Sequence, residues 1–424
     1  MPKPTTMEGQ GRPAIHVPRA MVLLSAMVFV VSLGYGAGLP LIQPYLLRYL
    51  GAVPASTVSW HVGMLGGVYL FALFLFAPLW GRLSDRHGRV RILLIGFVAF
   101  LAGSIGVALA PDLGSIYVAR LLAGAGAAAI VPTAQAYIAD CSTTVDRSRR
   151  FVLLGSSSFV GFLTGPALGT WLAGPVMGEA VGQMRSMLNL PPLAIAIAGA
   201  PLLLLAPWCL GSNRPALPSS ANAASPSRTR FVHASMLLAL LASFAVGSFE
   251  VGFNLLGTQT LGLATATMAA MFIACSVSML VAQSVLLLAS IRRRINQRWI
   301  AAAFAGSALA LGFASLIADA GALGLMIAVV GTGAGMVGPI LSYELLERRS
   351  GSPGRLLGQQ AAAGNLGQAL GSMGAGSLFT IAPMLPFWAA AAALLIGAAL
   401  SLAWWGRARD AEIAGSGMET TTDV

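Results

Sequence analysis

Two ionisable residues stand inside long apolar runs: Arg120 within 113–139 and Glu250 within 232–257. A charge in hydrocarbon costs at least ~2.5 kcal/mol, so such a residue is read first as functional. Burial penalises the charged form of a carboxyl, and a carboxyl inside an apolar run is therefore suited to taking up and releasing a proton. Ser243, Gly247, Asn254 and Gly257 lie at helical spacing from Glu250 and form one small, polar stripe with it. A stripe of that kind should face water or another helix. The plainer alternatives are a solvated Glu250 near an interface and an Arg120 that snorkels to the nearer edge. Tyr35, Gln43, Gln135, Tyr137, Asn254, Gln283, Asn365 and Gln368 also interrupt apolar runs. They are candidates to line a central cavity, although polar side chains in membranes also bridge helices.

The elements that must position these residues are set by composition. The 424 residues are 57% hydrophobic and 9% charged, with a mean hydropathy of +0.80. A soluble domain is about half apolar and about a quarter charged. The chain has room for about a dozen membrane spans of ~20 residues each. Twelve are expected: 20–45, 59–80, 91–110, 113–139, 151–173, 188–210, 232–257, 264–290, 298–318, 320–345, 357–379 and 385–405. Because the bilayer core gives backbone groups no water, each span should be helical. The first run is too long for a signal peptide and is expected to be retained as a span.

Charge placement supports this layout. The net charge is +11, yet no basic run is interleaved with aromatics as a nucleic-acid groove requires. Basic residues instead occupy alternate segments. They are Lys3, Arg12 and Arg19; Arg82, Arg86, Arg89 and Arg91; Arg147, Arg149 and Arg150; Arg214, Arg228 and Arg230; Arg292, Arg293, Arg294 and Arg298; Arg348, Arg349 and Arg355; and Arg407 and Arg409. Only Arg48 and Arg185 lie in the other loops. Loops rich in Arg stay on the cytoplasmic side, so both termini are expected there. Segment 211–230, GSNRPALPSSANAASPSRTR, reads as a flexible linker between halves 1–210 and 231–424.

An internal repeat supports two six-helix halves. Gly124-Ala125-Gly126 and Pro132 recur as Gly331-Thr332-Gly333 and Pro339, and Gly161-x-x-x-Gly165 recurs as Gly367-x-x-x-Gly371. The eleven residues Gly81–Arg91, GRLSDRHGRVR, form a dense charge cluster between two apolar runs, expected to be a short surface loop. Its order of Gly, Asp and Arg resembles the loop 2–3 signature of the major facilitator superfamily, a group of secondary transporters. R-x-x-x-G-x-G-A-A from Arg120 resembles the superfamily's helix 4 signature, with Ala123 in place of the usual Gln. Gly161-x-x-x-Gly165-Pro166-x-x-Gly169 resembles a helix 5 signature found mostly in its antiporters. Leu33-Gly34-x5-Pro40 resembles a helix 1 pattern of drug:proton antiporters, without the acid that many drug exporters carry there.

The resemblance implies an all-α membrane fold with twelve helices in two pseudo-symmetric halves, and a substrate site between them. It implies a role for Arg120 in proton coupling or substrate coordination. It also implies a cytoplasmic gate containing Gly81, Asp85, Arg86, Gly88 and Arg89, with Asp140 and Glu347 placed to join it at the ends of spans 4 and 10. A purely topogenic role for the cluster is the alternative. Spans 4 and 7 line the cavity in that family, so Arg120 and Glu250 are expected to face it from opposite halves, Arg120 keeping Glu250 ionised when close and separation or substrate entry allowing Glu250 to take up a proton.

Other classes find little support. No G-x-x-x-x-G-K-[ST] is present, so ATP is not the expected driver. The four His and three Cys show no metal-ligand or disulfide spacing. The chain is expected to be no enzyme and to need no cofactor or metal. It is expected to be a monomeric, proton-coupled exporter of a drug or small metabolite in the bacterial inner membrane. Its partners would be a small-molecule substrate, protons and the lipid bilayer, and no nucleic acid. The alternatives are a symporting importer and a non-transporting membrane sensor. The arginine pattern makes one direct prediction: a reporter active only in the periplasm, fused after Ser219, should stay silent, and a strong signal would overturn the twelve-span layout.

Overall fold

The computed structural model of the chain describes residues 17–142, 144–174, 189–210, 226–287, 297–313, 320–347 and 353–419. Among them the backbone is helical almost throughout and has no strand. Twelve helical units follow one another. The first, α1, runs Val17–Gly38, tightens to a 3-10 turn at Leu39–Leu41 and resumes as Ile42–Leu50. Pro40 lies in that turn, where its missing N–H suits a break in the α-helical ladder. Next come α2 (Ala55–His87), α3 (Arg89–Leu109), α4 (Leu113–Cys141), α5 (Thr144–Ala173) and α6 (Leu190–Cys209). The second series is α7 (Pro226–Leu255, then a π turn Leu256–Thr260), α8 (Thr265–Leu287), α9 (Gln297–Gly312), α10 (Ala320–Glu347), α11 (Pro353–Ile381) and α12 (Leu385–Glu419).

Ten units are long and apolar enough to cross a membrane, and α9 is a shorter apolar helix. The remaining one, α11, is diluted by Gln359, Gln360, Asn365 and Gln368. It can be more polar because it packs against both α7 and α2. Two expectations need correction. The charged stretch 81–91 is not an open loop: α2 continues to His87 and α3 starts at Arg89, leaving Gly88 alone as the reversal. Gly88 has φ 91°, a left-handed backbone that glycine adopts without steric cost. The segment read as a linker is also shorter at its end, because α7 begins at Pro226. Residues 211–225 of it lie outside those described.

Close backbone approach at glycine explains both repeats. A Cβ at Gly126 would overlap the backbone of Gly96 and Phe100 on α3; one at Gly333 would meet Ala303 and Ser307 on α9. Gly124 touches the Tyr69 carbonyl on α2, and Gly331 touches the Cys275 carbonyl on α8. In each pair the partner helix moves on by six, from α3 to α9 or from α2 to α8. Similarly, Gly161 and Gly165 press α5 onto α1 at Phe29 and Gly36-Ala37, while Gly367 and Gly371 press α11 onto α7 at Leu240 and Phe244. Small residues at membrane helix contacts give dispersion where lipid removes the hydrophobic drive.

The halves meet through α2 against α11, α5 against α8 and α1 against α7. Gly63 on α2 lies against Gly376 and the Ser372 carbonyl. One buried cluster runs through the second half and takes in first-half residues such as Leu41, Ile42, Leu46, Val58 and Ile116. These belong to the end opposite the arginine clusters. A second buried cluster is drawn from the first half, apart from Ala369. The molecule is therefore closed by shared packing at the arginine-poor end.

These contacts predict that Gly126→Val and Gly333→Val each destabilise the protein by about 1–3 kcal/mol through overpacking. Gly155→Ala, where a Cβ would meet nothing, should leave the melting temperature in detergent unchanged. An unshifted melting temperature for both valine variants would show that these helices are not held by the close approach.

Candidate functional site

The glycine contacts place two side chains around one carboxylate. Glu250, on α7, is 8% exposed. Its Oε2 accepts a hydrogen bond from the Tyr35 hydroxyl of α1 at 3.0 Å and another from Gln368 Nε2 of α11 at 3.0 Å. Gln368 Nε2 also lies 3.2 Å from the Tyr35 oxygen, so the three groups close a triangle. Gly247 lets the Gln368 carbonyl approach α7, and Gly36 lets the Phe162 carbonyl of α5 approach α1. Phe162 then stacks on Tyr35 at 5.9 Å between ring centroids.

On the first-half side the Tyr35 ring stacks on Tyr69 at 5.4 Å and 22°. The Arg120 guanidinium carbon lies 5.6 Å from the Tyr69 ring centroid, a cation–π distance. Cation, two aromatic rings and carboxylate thus form a continuous row. This corrects the expectation of a shared cavity and a direct Arg120–Glu250 pair, because two tyrosine rings separate the charges. Arg120 instead lines a cavity of about 50 Å³ inside the first half with Gly34, Gly38, Tyr45, Tyr69 and Ser104.

A seam of polar contacts continues from Glu250 toward the arginine-poor end. Asn254 Nδ2 donates to the Leu39 carbonyl at 2.9 Å, and the Thr258 hydroxyl donates to Gln43 Oε1. Residues 35, 39 and 43 face 250, 254 and 258, one helical turn per rung on two helices running the same way. Ser59 of α2 adds a bond to Gln259 Oε1 at 3.1 Å. Thr258 and Gln259 lie in the π turn, where the extra residue per turn widens the helix. The Asn254 Oδ1 atom is buried without a hydrogen-bond partner.

Several expected residues therefore come together: Tyr35, Gln43, Glu250, Asn254 and Gln368. Others do not. Tyr137 lines a small cleft with Met21, Leu24, Cys141 and Arg150 near the arginine-rich end, which removes it from the central site. Gln135, Gln283 and Asn365 are half-buried and share no described hydrogen bond with the triangle. Tyr69, Phe162, Thr258, Ser59 and Gln259 escaped the sequence reading. Thr258 could have been found, since it extends the Glu250–Asn254 stripe by one turn; Tyr69 and Phe162 look like ordinary apolar-run aromatics.

The charged signature forms its own cluster. Arg89 is paired with Asp85 one turn earlier and with Asp140 of α4 at 3.2 Å, and it donates to Ser84 Oγ at 3.1 Å. Asp85 is 62% exposed, and Arg86 is exposed. These pairs tie α2 and α3 to α4 within the first half. The Glu347 side chain lies outside the described residues. Gly161, Gly165, Pro166 and Gly169 all pack on or beside α1, with Pro166 Cδ against Gly36 and Gly169 against Ala37.

The family model of the Major Facilitator Superfamily matches residues 24–352. Multidrug resistance protein 2 of Bacillus subtilis (strain 168) is 23% identical over 397 residues, covering 92% of this chain and 96% of that protein. The class C tetracycline resistance protein of Escherichia coli is 34% identical over 187 residues, 44% of this chain and 43% of its own length. In fold, a D-xylose-proton symporter superposes with a TM-score of 0.70 at 15% identity, covering 90% of this chain and 96% of that one. The POT family transporter PepTSo gives 0.73 at 11% identity, over 92% and 98% of the two chains. Twelve helices in two matching halves, and a family model spanning most of both, lead to one conclusion: the chain belongs to the Major Facilitator Superfamily and is a membrane transporter.

Proposed function

We propose that this transporter is a proton-coupled exporter of a drug-like compound or small metabolite. It works as a monomer in a bacterial inner membrane with both termini cytoplasmic. Halves 1–210 and 226–424, joined through 211–225, move about the substrate site. Glu250 carries this reading: among the described residues it is the single buried acid, and it lies on the contact between the halves. The relatives named for multidrug and tetracycline resistance support export, as does the Gly161–Gly169 pattern. A proton and a substrate that compete for one carboxylate between two halves would exchange across the membrane as the halves alternate. Arg120 acts on this site through the two tyrosine rings. Asp85, Arg89 and Asp140, with Glu347, contribute to the gate at the arginine-rich end.

The direction of coupling is open to a direct test. Proteoliposomes with an acidic lumen should accumulate tetracycline or ethidium, because protons leaving the lumen drive substrate inward. A symporter would need an alkaline lumen instead. Glu250→Gln should abolish accumulation in either direction of the gradient. Normal pH-driven accumulation by that variant would remove Glu250 from the coupling.

The gate reading yields a second test. Asp85 is largely exposed, so its ion pair contributes less than ~1 kcal/mol to stability. Asp85→Asn should therefore stay folded and inserted, with a melting temperature within a few degrees of the parent, yet lose most of its transport. Undiminished flux at equal expression would leave the cluster a purely topogenic role.

A further inference from the structure

The triangle around Glu250 has a feature that proton carriage alone does not require. Both donors end on the same atom, Oε2, and they come from opposite halves: Tyr35 from α1 and Gln368 from α11. Each donor is braced from behind. Tyr35 is held between the Tyr69 and Phe162 rings. Gln368 is held by the contact of its carbonyl with Gly247. We propose that Tyr35 and Gln368 are positioning residues that clasp the empty, ionised Glu250: Tyr35 bonds it across the two halves, and Gln368, from the same half as Glu250, bonds both its Oε2 and the Tyr35 oxygen, so that the unloaded carrier cannot change state. A proton, or a substrate donor that takes Oε2, opens the clasp and permits the turn. This inference rests on the reading of Glu250 as the coupling acid and adds what prevents slippage.

The physical basis is the difference between charged and neutral acceptors. A hydrogen bond to an ionised carboxylate is roughly twice as strong as one between neutral groups, and the low dielectric around it increases that difference. Protonation reduces both bonds of the clasp together. Beyond it, the seam has only neutral rungs, Asn254 to Leu39 and Thr258 to Gln43. Ionisation therefore favours the closed arginine-poor end, and acid favours its opening. The titratable or charged groups facing Glu250 are Tyr35 on α1, Tyr69 on α2 with Arg120 of α4 behind it, and Cys275 on α8. From α11 comes the neutral Gln368, while α12 presents Pro386 and Phe387 to Gly252, two residues further along α7.

The test uses full-length protein in proteoliposomes and needs no identified substrate. Tyr35→Phe keeps the ring stack and removes the donor; Gln368→Leu removes the other donor at similar size. Proton leak is read with a trapped pH dye at clamped membrane potential. Opening is read from Leu39→Cys, whose buried side chain can be replaced while its carbonyl keeps the bond from Asn254, in a background without Cys141, Cys209 and Cys275, by its labelling with an impermeant maleimide from the arginine-poor side. Labelling at each pH is normalised to the unfolded protein. In the parent, labelling should rise about tenfold between pH 8 and pH 6, the shift expected from losing one charge-assisted bond. In Tyr35→Phe and Gln368→Leu it should already be high at pH 8, with a substrate-free proton leak about tenfold above the parent. Parent-like leak and labelling in both variants and in their double mutant would overturn the clasp. Glu250→Gln separates the two readings: it should carry no leak while its labelling loses pH dependence. If the double variant Tyr35→Phe with Glu250→Gln still leaks protons as Tyr35→Phe does, the coupling role of Glu250 falls; if Glu250→Gln loses pH-driven transport while the donor variants behave as the parent, the clasp alone falls.

Discussion

A carboxylate in the middle of a membrane protein has to be bonded from every side that approaches it, because neither lipid nor a dry interior will solvate its charge. Glu250 meets that requirement with donors from two different halves of the molecule. Much of the surrounding architecture follows from it. Two helices must come near enough to α7 to deliver a tyrosine and a glutamine, and each must be fixed in depth and rotation so that both reach one oxygen.

The glycines supply that closeness. Gly36 and Gly247 occupy matching places on α1 and α7, one facing the Phe162 carbonyl of α5 and the other the Gln368 carbonyl of α11. The same step along the chain makes Leu39 the counterpart of Glu250, and the slightly shorter step that relates Gly161 to Gly367 makes Phe162 the counterpart of Gln368. The scaffold is thus repeated while the chemistry is not. An aromatic ring in the first half stands where the second half has an amide donor, and an aliphatic side chain stands where it has the acid. A duplicated frame built on small residues can hold one asymmetric polar site because helix packing depends on backbone approach rather than on the identity of the exposed side chains.

The same logic separates the two ends of the molecule. At the arginine-poor end the halves share buried apolar residues and the rungs between α1 and α7. At the arginine-rich end the described ion pairs of Arg89 stay within the first half. Exposed pairs of this kind contribute little to stability, and among the described residues none of them links the two halves at this end. Shared apolar packing and buried polar rungs are costlier to separate, and the π turn at Leu256–Thr260 places a locally widened helix beside the rungs that would have to release.

Much of this was legible in the residues alone. Hydropathy marked ten of the twelve described helical units outright, since the bilayer admits no other backbone solution for such runs. Recurrent glycines revealed the two halves, because a backbone contact tolerates no side chain and leaves the same mark each time it is used. The rarity of charge in apolar runs singled out Glu250 and Arg120, and helical spacing joined Glu250 to Asn254. Distance and partnership were another matter. Tyr35 and Gln368 are separated by hundreds of residues from each other, and nothing in either neighbourhood announces a common oxygen. Tyr69 and Phe162 have the look of core aromatics until the bundle stacks them on Tyr35. The expected contact between Arg120 and Glu250 became a row interrupted by two rings, because the rotation of α4 within its own half turns Arg120 toward Tyr69 and an inner cavity. Residue type and period specify what each helix can contribute; only the packing of helix on helix decides which contributions meet.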